Sequence, residues 1–424
     1  MTNNLPLRPD SAAEADTTLP PIGQVYLLVS HIPFFRDADG RLHTLGLWFH
    51  DLKEHVAYLP NLVIACPLIS SPPPEDSAPL DSDISLAGVR FIALPSARSR
   101  LAAMLLFPVT TGKLWRAIRE AQIAHCGIVG WPFPPAWIVI PLARLLRRRS
   151  IIIVESADWR PQPGAQVSIR RRAIALAYEL LGRFCLSKAD LTIFTTDEYR
   201  RSMLRERFEE GHVIHASWIN GSDILSDEEA QVVWQQKLTN TSPALRVLFA
   251  GRLERPKGVL VLLEALRHLA DQKVPVELHI LGAGTLLADC EAAARDFQGR
   301  TRIQILGTTP YGPPFFAQVR QYHAVVVPSL SDEQPRIVYD AYSQAVPILG
   351  TQTAGLLDCV HDGRTGWLSR PNDSRALSEL LIRAAGDTKA LKTMGIEALC
   401  AARQMTHKRM HTERHRLLLS LLAK

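Results

Sequence analysis

Short apolar runs alternate with segments of helical periodicity along most of the chain. This alternation is typical of parallel β-strands covered by helices on both faces, the doubly wound α/β class. In the first half it predicts helices at residues 47–56 and 114–124, and strands at residues 24–30, 61–69, 89–93, 127–130, 150–155, 191–195 and 212–215. Pro-rich segments at residues 71–80 and 131–135 are predicted to be a surface loop and a turn.

A second alternation follows a polar segment. It predicts strands at residues 245–250, 276–281, 301–306, 324–327, 347–349 and 367–368, and helices at residues 259–270, 285–296, 337–344, 374–385 and from 388 onward. Because a chain of 424 residues is too long for a single hydrophobic core, we expect two tandem doubly wound domains around a cleft. The predicted organisation is a disordered lead-in at residues 1–20, a first domain at 21–222, a connection at 223–242, a second domain at 243–400 and a terminal helix at 401–424.

Composition narrows the class of protein. Six scattered cysteines show no metal-ligand or redox spacing, which is typical of reduced thiols in a cytoplasmic protein. Residues 1–20 lack the basic region and apolar core of a signal peptide, and no apolar run is long and clean enough to span a bilayer. We therefore expect a cytoplasmic protein, and peripheral contact with the inner face of the membrane remains open.

Basic residues are concentrated between residues 141 and 206, where 13 Lys and Arg stand against 7 Asp and Glu. Two interpretations remain open: a solvated basic face on ordinary core helices, or adhesion to an anionic membrane surface. Nucleic acid is not expected as a partner, because aromatic residues do not interleave with these basic residues.

The densest candidate chemistry follows the apolar run at residues 324–327. Asp332 and Asp340 bracket a nine-residue window that leads from a predicted strand into a helix. Two carboxylates beside the amide groups of a helix start suit a hydroxyl-rich, phosphate-bearing ligand such as a nucleotide sugar.

Cations and glycines follow the other predicted strands of the second domain. Arg252 and Lys257 lie between a strand and a helix, where they can neutralise a diphosphate and stabilise it as a leaving group without a metal. Gly282 and Gly284 form half of a dinucleotide fingerprint, with Leu287 in place of the third glycine, so close backbone approach and a plain tight turn both remain open.

One cluster in the first domain is a candidate for the acceptor side. Glu155, Asp158 and Trp159 directly follow the predicted strand at residues 150–155. The alternative is a helix cap with a packed tryptophan.

Taken in order, these motifs resemble the retaining glycosyltransferases of family 4 (GT4), which have the GT-B fold. The resemblance rests on Gly-Arg-Leu with Lys-Gly at residues 251–258, Leu-Gly-x-Gly at 281–284, Leu-Gly at 306–307, Pro-Ser-Leu at 328–330 and the acidic window. The family window usually reads Glu-x7-Glu, whereas this chain has Asp332 and Asp340, with Pro335, Arg336 and Ala341 in register.

The resemblance implies a role for each matching position. Arg252 and Lys257 would hold the donor diphosphate, Asp332 would meet the sugar hydroxyls with the Gln334 amide nearby, and Asp340 would bind the ribose. The predicted catalytic residues are Asp332, Arg252 and Lys257. The remaining predicted donor-site residues are Gly251, Gly282, Gly284, Gly307, Glu333, Arg336 and Gly355. The resemblance also implies two Rossmann-like domains, a terminal helix that packs back on the first, and a reaction without a resident cofactor or metal.

The expected activity is transfer of a sugar, with retention, from a nucleoside diphosphate-sugar to a polysaccharide or a lipid-linked oligosaccharide. Two rivals remain: another nucleotide-sugar enzyme on the same scaffold, such as an epimerase or phosphorylase, and a non-catalytic binding protein, which the shortened acids Asp332 and Asp340 motivate. The missing third glycine disfavours a dinucleotide oxidoreductase.

Overall fold

The computed structural model describes residues 18–69, 71–74, 77–97, 99–130, 133–161, 167–239, 244–297 and 299–424. These residues form two compact units: the described part of Asp16–His215 together with Met410–Lys424, here the first unit, and Ala216–Arg409, the second unit. Across the described residues, every helix is too short or too polar to cross a bilayer.

The first unit is built on ten strands. They are β1 Tyr26–Val29, β2 Phe34–Arg36, β3 Leu42–Leu45, β4 Leu62–Ile69, β5 Ser77–Pro79, β6 Arg90–Leu94, β7 Ile123–Gly127, β8 Arg149–Val154, β9 Leu191–Phe194 and β10 His212–Val213. The helices between them are α1 Gly46–Tyr58, α2 Arg100–Glu120, α3 Ala136–Leu145, α4 Ile169–Lys188 and α5 Asp197–Leu204.

Parallel pairing forms the centre of this sheet, in the order β10-β9-β8-β7-β1-β4 with β6 beside β4. Strands β2, β3 and β5 extend one edge, with antiparallel pairs at β2–β3 and β3–β5. All four residues of β1 are buried, as expected for a strand that helices cover on both faces. The strand order reverses at β1, between β7 and β4.

The second unit has six strands, β11 Leu245–Ala250, β12 Val276–Leu281, β13 Thr301–Gly307, β14 Ala324–Val327, β15 Ile348–Thr351 and β16 Gly366–Ser369. Its helices are α6 Asp227–Thr239, α7 Val259–Asp271, α8 Leu287–Asp296, α9 Pro313–Val319, α10 Ile337–Ser343, α11 Ala354–Leu357, α12 Ser374–Gly386 and α13 Thr388–Gln404. The last helix, α14 His407–Leu422, belongs for most of its length to the first unit.

All six strands are parallel, in the order β13-β12-β11-β14-β15-β16. The chain builds outward from β11 through β12 to β13, then returns to the other side of β11 with β14. The loops after β11 and β14 therefore lie side by side at the carboxyl edge, where the strand order reverses. Open α/β sheets bind their ligands at such a reversal.

The predicted α/β class with two parallel-sheet units is confirmed, and β12 and β14 occupy the predicted residues. Three predictions in the first unit are wrong. The segment at residues 71–80, predicted to be a surface loop, contains the edge strand β5, Ser77–Pro79. The helix predicted at residues 114–124 begins at Arg100 and ends at Glu120, and the strand predicted at 127–130 is β7, Ile123–Gly127. The proline-containing segment after β7 forms α3 in spite of Pro141.

The predicted connection at residues 223–242 contains α6, which packs into the core of the second unit. Its anchors are Ala230 and Trp234, and the indole N–H of Trp234 donates to the carbonyl of Ala345 at 2.8 Å. The polar outer face of α6 explains why the segment resembles a linker in sequence.

Candidate functional site

Two loops meet at the reversal point of the second sheet. The N–H of Leu330 donates to the carbonyl of Pro256 at 2.8 Å, which ties the loop after β14 to the loop after β11. Gly258 has φ +74°, and a Cβ there would lie 1.7 Å from the carbonyl oxygen of Pro328. Only glycine fits both this backbone conformation and this approach, so the contact between the loops depends on Gly258.

An ion pair joins these two loops. The ammonium of Lys257 contacts Oε1 of Glu333, and the side chains are only 23% and 22% exposed. The hydroxyl of Ser331 donates to the same carboxylate oxygen at 3.2 Å. Burial alone would raise the pKa of Glu333, but the charges of Lys257 and Arg252 outweigh burial and hold this pKa below its usual value. Glu333 is therefore an ionised carboxylate facing two cations.

The neighbouring acid, Asp332, has a different partner. Its Oδ1 accepts the backbone N–H of Ala354, the first residue of α11, at 3.1 Å. A Cβ on Gly355 would lie 2.2 Å from the carbonyl oxygen of Glu333, so α11 is packed directly against the backbone of the acidic window. Arg252, Lys257, Asp332, Glu333 and Gly355 are thus brought together as the sequence predicts.

Gln334 is buried, and its side chain binds protein backbone. Its amide oxygen accepts the N–H of Ala216 at 2.7 Å, and its amide nitrogen donates to the carbonyl of Ala216 at 2.8 Å. This pairing anchors the acidic window to the first residue of the second unit. The backbone amide of Gln334, rather than its side chain, is therefore the group left for the predicted contact with a donor sugar.

Asp340 lies in the first turn of α10 and is buried. The phenol of Tyr311 donates to its Oδ1 at 2.7 Å. Burial raises the pKa of Asp340 to about 7, and the Tyr311 hydrogen bond and the nearby charge of Arg336 only partly oppose it. Sequence analysis missed Tyr311, which carries no recognisable motif in its loop after β13.

Arg336, at the start of α10, is exposed and stacks on an aromatic side chain. Its guanidinium carbon lies 5.0 Å from the ring centroid of Trp218. Trp218 also stacks against the ring of His407, with centroids 5.5 Å apart and planes 18° from parallel. Trp218, a second residue that sequence analysis missed, therefore holds the guanidinium of Arg336 near Asp340.

The glycines after β12 and β13 make close backbone contacts. A Cβ on Gly282 would lie 1.9 Å from the carbonyl oxygen of Gly251, and a Cβ on Gly284 would lie 2.6 Å from that of Leu253. The N–H of Gly282 donates to the carbonyl of Gly307 at 2.6 Å. The approaching groups belong to adjacent loops, so the structure gives these glycines a role in packing between loops. Donor contacts at these glycines stay a prediction.

In the first unit, the acceptor candidates separate into two environments. Glu155 and Asp158 are exposed after β8. Trp159 is buried, and its indole N–H donates to Glu179 at 2.8 Å. The packed-tryptophan alternative therefore describes Trp159, because its side chain belongs to the core and not to the open strand end.

A pocket lies at the carboxyl edge of the first sheet, where its strand order reverses. It contains about 630 Å³ of empty space, part of it open to solvent. Apolar side chains dominate its wall, with Ser30 and His31 after β1 among the polar contributions. Five segments far apart in the sequence contribute to it, among them Pro67 on β4, Leu94 on β6, Leu106 on α2 and Ile138 on α3. This dispersal explains why sequence analysis missed it.

The second unit is similar in sequence to known glycosyltransferases. Residues 244–387 match the family model described as "Glycosyl transferases group 1". D-inositol 3-phosphate glycosyltransferase of Arthrobacter sp. (strain FB24) is 31% identical over 130 residues, which is 29% of this chain and 30% of that protein. The amylovoran biosynthesis glycosyltransferase AmsK of Erwinia amylovora is 26% identical over 33% of this chain and 35% of that protein. The chain thus spans about a third of the length of these relatives.

Likeness to solved structures extends over nearly the whole chain. The crystal structure of Anabaena Alr3699/HepE in complex with UDP has a TM-score of 0.65 at 15% identity and covers 93% of this chain and 99% of that chain. The chain has the GT-B fold. In this GT-B chain, the segment that matches the group 1 model contains every predicted donor-site residue, from Gly251 to Gly355.

Proposed function

We propose that this GT-B chain is a glycosyltransferase of the GT4 type. It transfers a sugar, with retention, from a nucleoside diphosphate-sugar to a glycan or a lipid-linked oligosaccharide. The observation that carries the proposal is the Lys257–Glu333 ion pair beside Arg252, at the reversal point of a parallel sheet in the segment that matches the group 1 family model.

In this proposal Arg252 and Lys257 hold the diphosphate and stabilise the negative charge that develops on it as the sugar leaves. An incoming phosphate competes with Glu333 for the Lys257 ammonium, since both anions need the same partner. Asp332 and Glu333 accept hydrogen bonds from the sugar hydroxyls, and Asp340 accepts one from the ribose. The two cations offset the charge of the diphosphate, so the proposal assigns no resident metal or cofactor.

The first nucleotide to test is UDP, because HepE, which has a similar fold, is seen in complex with UDP. The proposed acceptor follows from the first unit. Its apolar pocket at the sheet reversal suits the apolar part of a lipid-linked acceptor better than a free sugar. AmsK, named for amylovoran biosynthesis, supports a polysaccharide pathway as the setting.

A thermal-shift screen of the full chain against UDP, GDP, ADP, TDP and CMP tests the donor site. A ligand at 100 times its Kd should stabilise the fold by about 2.7 kcal/mol. We expect a shift with one nucleoside diphosphate that disappears in Lys257→Ala. Arg255→Ala is the matched control, since it removes an exposed cation from the same loop, and it should keep the shift.

Absence of a shift with every nucleotide would contradict the proposed donor site. A shift in Lys257→Ala equal to that of the unchanged chain would contradict the assigned role of Lys257. Release of the nucleoside diphosphate, measured with the donor sugar and a lipid-linked or glycan acceptor, then separates a transferase from a non-catalytic binding protein. Release that depends on the acceptor is the expected result.

A further inference from the structure

Exposed apolar side chains are concentrated on three helices of the first unit. Of the fifteen large apolar side chains that are exposed among the described residues, eleven lie on α2, α3 and α4. They are Leu101, Met104, Leu105, Phe107, Val109, Leu145, Ile169, Leu176, Leu180, Leu181 and Phe184. Soluble monomers rarely expose contiguous apolar patches unless these patches mark an interaction site.

These three helices cover the same face of the first sheet. Each connects two parallel strands in the same direction across the sheet, from β6 to β7, from β7 to β8 and from β8 to β9. Right-handed crossovers place all three on one side. Helix α3 contacts both α2 and α4. Their outer surface is therefore continuous, and we name it the α2–α4 face.

Helix α4 carries apolar stripes on opposite sides. Ala175, Gly182, Cys185 and Leu186 are buried against the core. The exposed side carries a stripe at helical spacing, made of Ile169, Leu176, Leu180, Leu181 and Phe184. A helix covering a soluble sheet needs only the buried stripe. The exposed stripe therefore requires a separate explanation.

The first half of α2 is also apolar on both sides. Ala103 and Leu106 line the pocket of the first unit. Leu101, Met104 and Leu105 project away from the core, with exposed fractions of 59–73%. A helix segment that is apolar all round belongs in a core or a lipid environment, and here one side has no protein cover among the described residues.

The charge of the α2–α4 face favours an anionic partner. Helices α2, α3 and α4 carry ten Lys and Arg but only two acids, Glu120 and Glu179. Both acids already have basic partners: Arg90 contacts Glu120 at 2.7 Å, and Arg160 and Arg183 contact Glu179 at 2.7 and 2.9 Å. The basic residues include Arg170, Arg171 and Arg172 at the start of the exposed stripe. Apolar side chains flanked by uncompensated cations match an anionic lipid surface.

We propose that the α2–α4 face docks on an anionic lipid bilayer, with its helices in the plane of the membrane surface and their exposed apolar side chains among the head groups. A second copy of this chain is a poorer partner, because it would bring the same uncompensated cations to the interface. The proposal goes beyond the transferase activity and does not depend on it.

Vesicle sedimentation of the full chain tests the docking directly. We compare vesicles of phosphatidylcholine alone with vesicles that contain 30% phosphatidylglycerol, a composition of roughly the charge density of an anionic leaflet. We expect binding to the anionic vesicles that weakens with added salt, because surface electrostatics are screened.

Two sets of variants separate the apolar and basic contributions. Leu176→Glu with Leu180→Glu places charges in the stripe and should weaken vesicle binding at least about tenfold. Arg170→Gln with Arg172→Gln should weaken binding to anionic vesicles by a similar factor and reduce its salt dependence. The matched control is Val232→Glu on α6, where Val232 is 57% exposed against 58% for Leu180, and its binding should not change.

Failure of the unchanged chain to sediment with anionic vesicles would overturn the proposal, as would equal binding by both variant pairs and the control. Light scattering in solution identifies the competing partner: a dimer that Leu176→Glu with Leu180→Glu dissociates would assign the face to a second copy of the chain. The UDP thermal shift should be the same in all these variants. The vesicle assay therefore tests membrane docking separately from donor binding.

Discussion

Replacement of Glu333 by Gln is the sharpest test of the donor site. In the structure the carboxylate of Glu333 neutralises the ammonium of Lys257, and both side chains are mostly buried. If Lys257 holds a donor phosphate, that phosphate must displace or share the Glu333 contact. Glu333→Gln removes this competition and keeps the side chain nearly the same size. We therefore expect the variant to bind free nucleoside diphosphate more tightly.

The magnitude follows from Coulomb's law. Two unit charges about 4 Å apart interact with about 4 kcal/mol at an effective dielectric constant of 20, and with about 1 kcal/mol in water. With roughly a fifth of each side chain exposed, the Lys257–Glu333 contact lies between these limits. An effect of about 1.4 kcal/mol, near the screened limit, corresponds to roughly tenfold tighter binding of UDP.

Isothermal titration of UDP measures this affinity, and titration at two salt concentrations tests its electrostatic origin. The control Glu264→Gln changes the net charge by the same amount. In the unchanged chain the exposed carboxylate of Glu264 pairs with Arg267 on α7. This control should change the UDP affinity by less than about twofold. Unchanged or weaker UDP binding by Glu333→Gln would refute the reasoning, because Lys257 would then not be the phosphate ligand. The sugar-transfer rate should fall in the same variant, since a neutral amide is a weaker acceptor of sugar hydroxyls than an ionised carboxylate.

Four further predictions follow. Burial raises the pKa of Asp340 to about 7, above its value in the unfolded chain. The free energy of unfolding should therefore fall by up to ~4 kcal/mol as the pH rises from about 4 through 7. Urea titrations should show this loss in the unchanged chain but not in Asp340→Asn. Gly258→Ala should destabilise the fold by ~3 kcal/mol or more in thermal melts, whereas Gly386→Ala, which meets open space, should change stability by less than ~1 kcal/mol. Asp332→Asn can keep the hydrogen bond from Ala354, so its melting temperature should hold while kcat falls roughly 100-fold. EDTA should leave the initial transfer rate unchanged, because Arg252 and Lys257 supply the positive charge, and a loss restored by a divalent cation would contradict this assignment.

The central strands of the second unit could be predicted from the sequence because β11, β12 and β14 are short and mainly apolar. All four residues of β14 are buried, and the loop that follows it is polar. The first unit was harder for a physical reason. Helix α2 is apolar on both sides near its start and contains Pro108, so helical periodicity is absent there and proline falsely indicates a break. Pro141 has the same effect in α3.

The candidate site could also be predicted only in part from the sequence. Motifs at strand ends are local, and parallel strands bring their carboxyl ends to one edge, so Arg252, Lys257 and the acidic window could be predicted together. Contacts between distant segments could not. Tyr311 reaches Asp340 from the loop after β13, and Gln334 binds Ala216 from 118 residues away. Nothing in the local sequence of these residues encodes such partners.

The two neighbouring acids of the window bind different partners because their side chains differ in length. The short side chain of Asp332 lies against the first N–H of α11, and the backbone is held so close to α11 that Gly355 has no room for a Cβ. Glu333 has one more methylene and reaches across to Lys257. Under the proposed function, binding of a diphosphate therefore does two things at once. The phosphate takes the ammonium of Lys257, and the released carboxylate of Glu333 becomes available to the hydroxyls of the sugar that the same diphosphate carries. A nucleoside diphosphate without its sugar gains only the first contact, so Glu333→Gln should strengthen UDP binding and weaken sugar transfer.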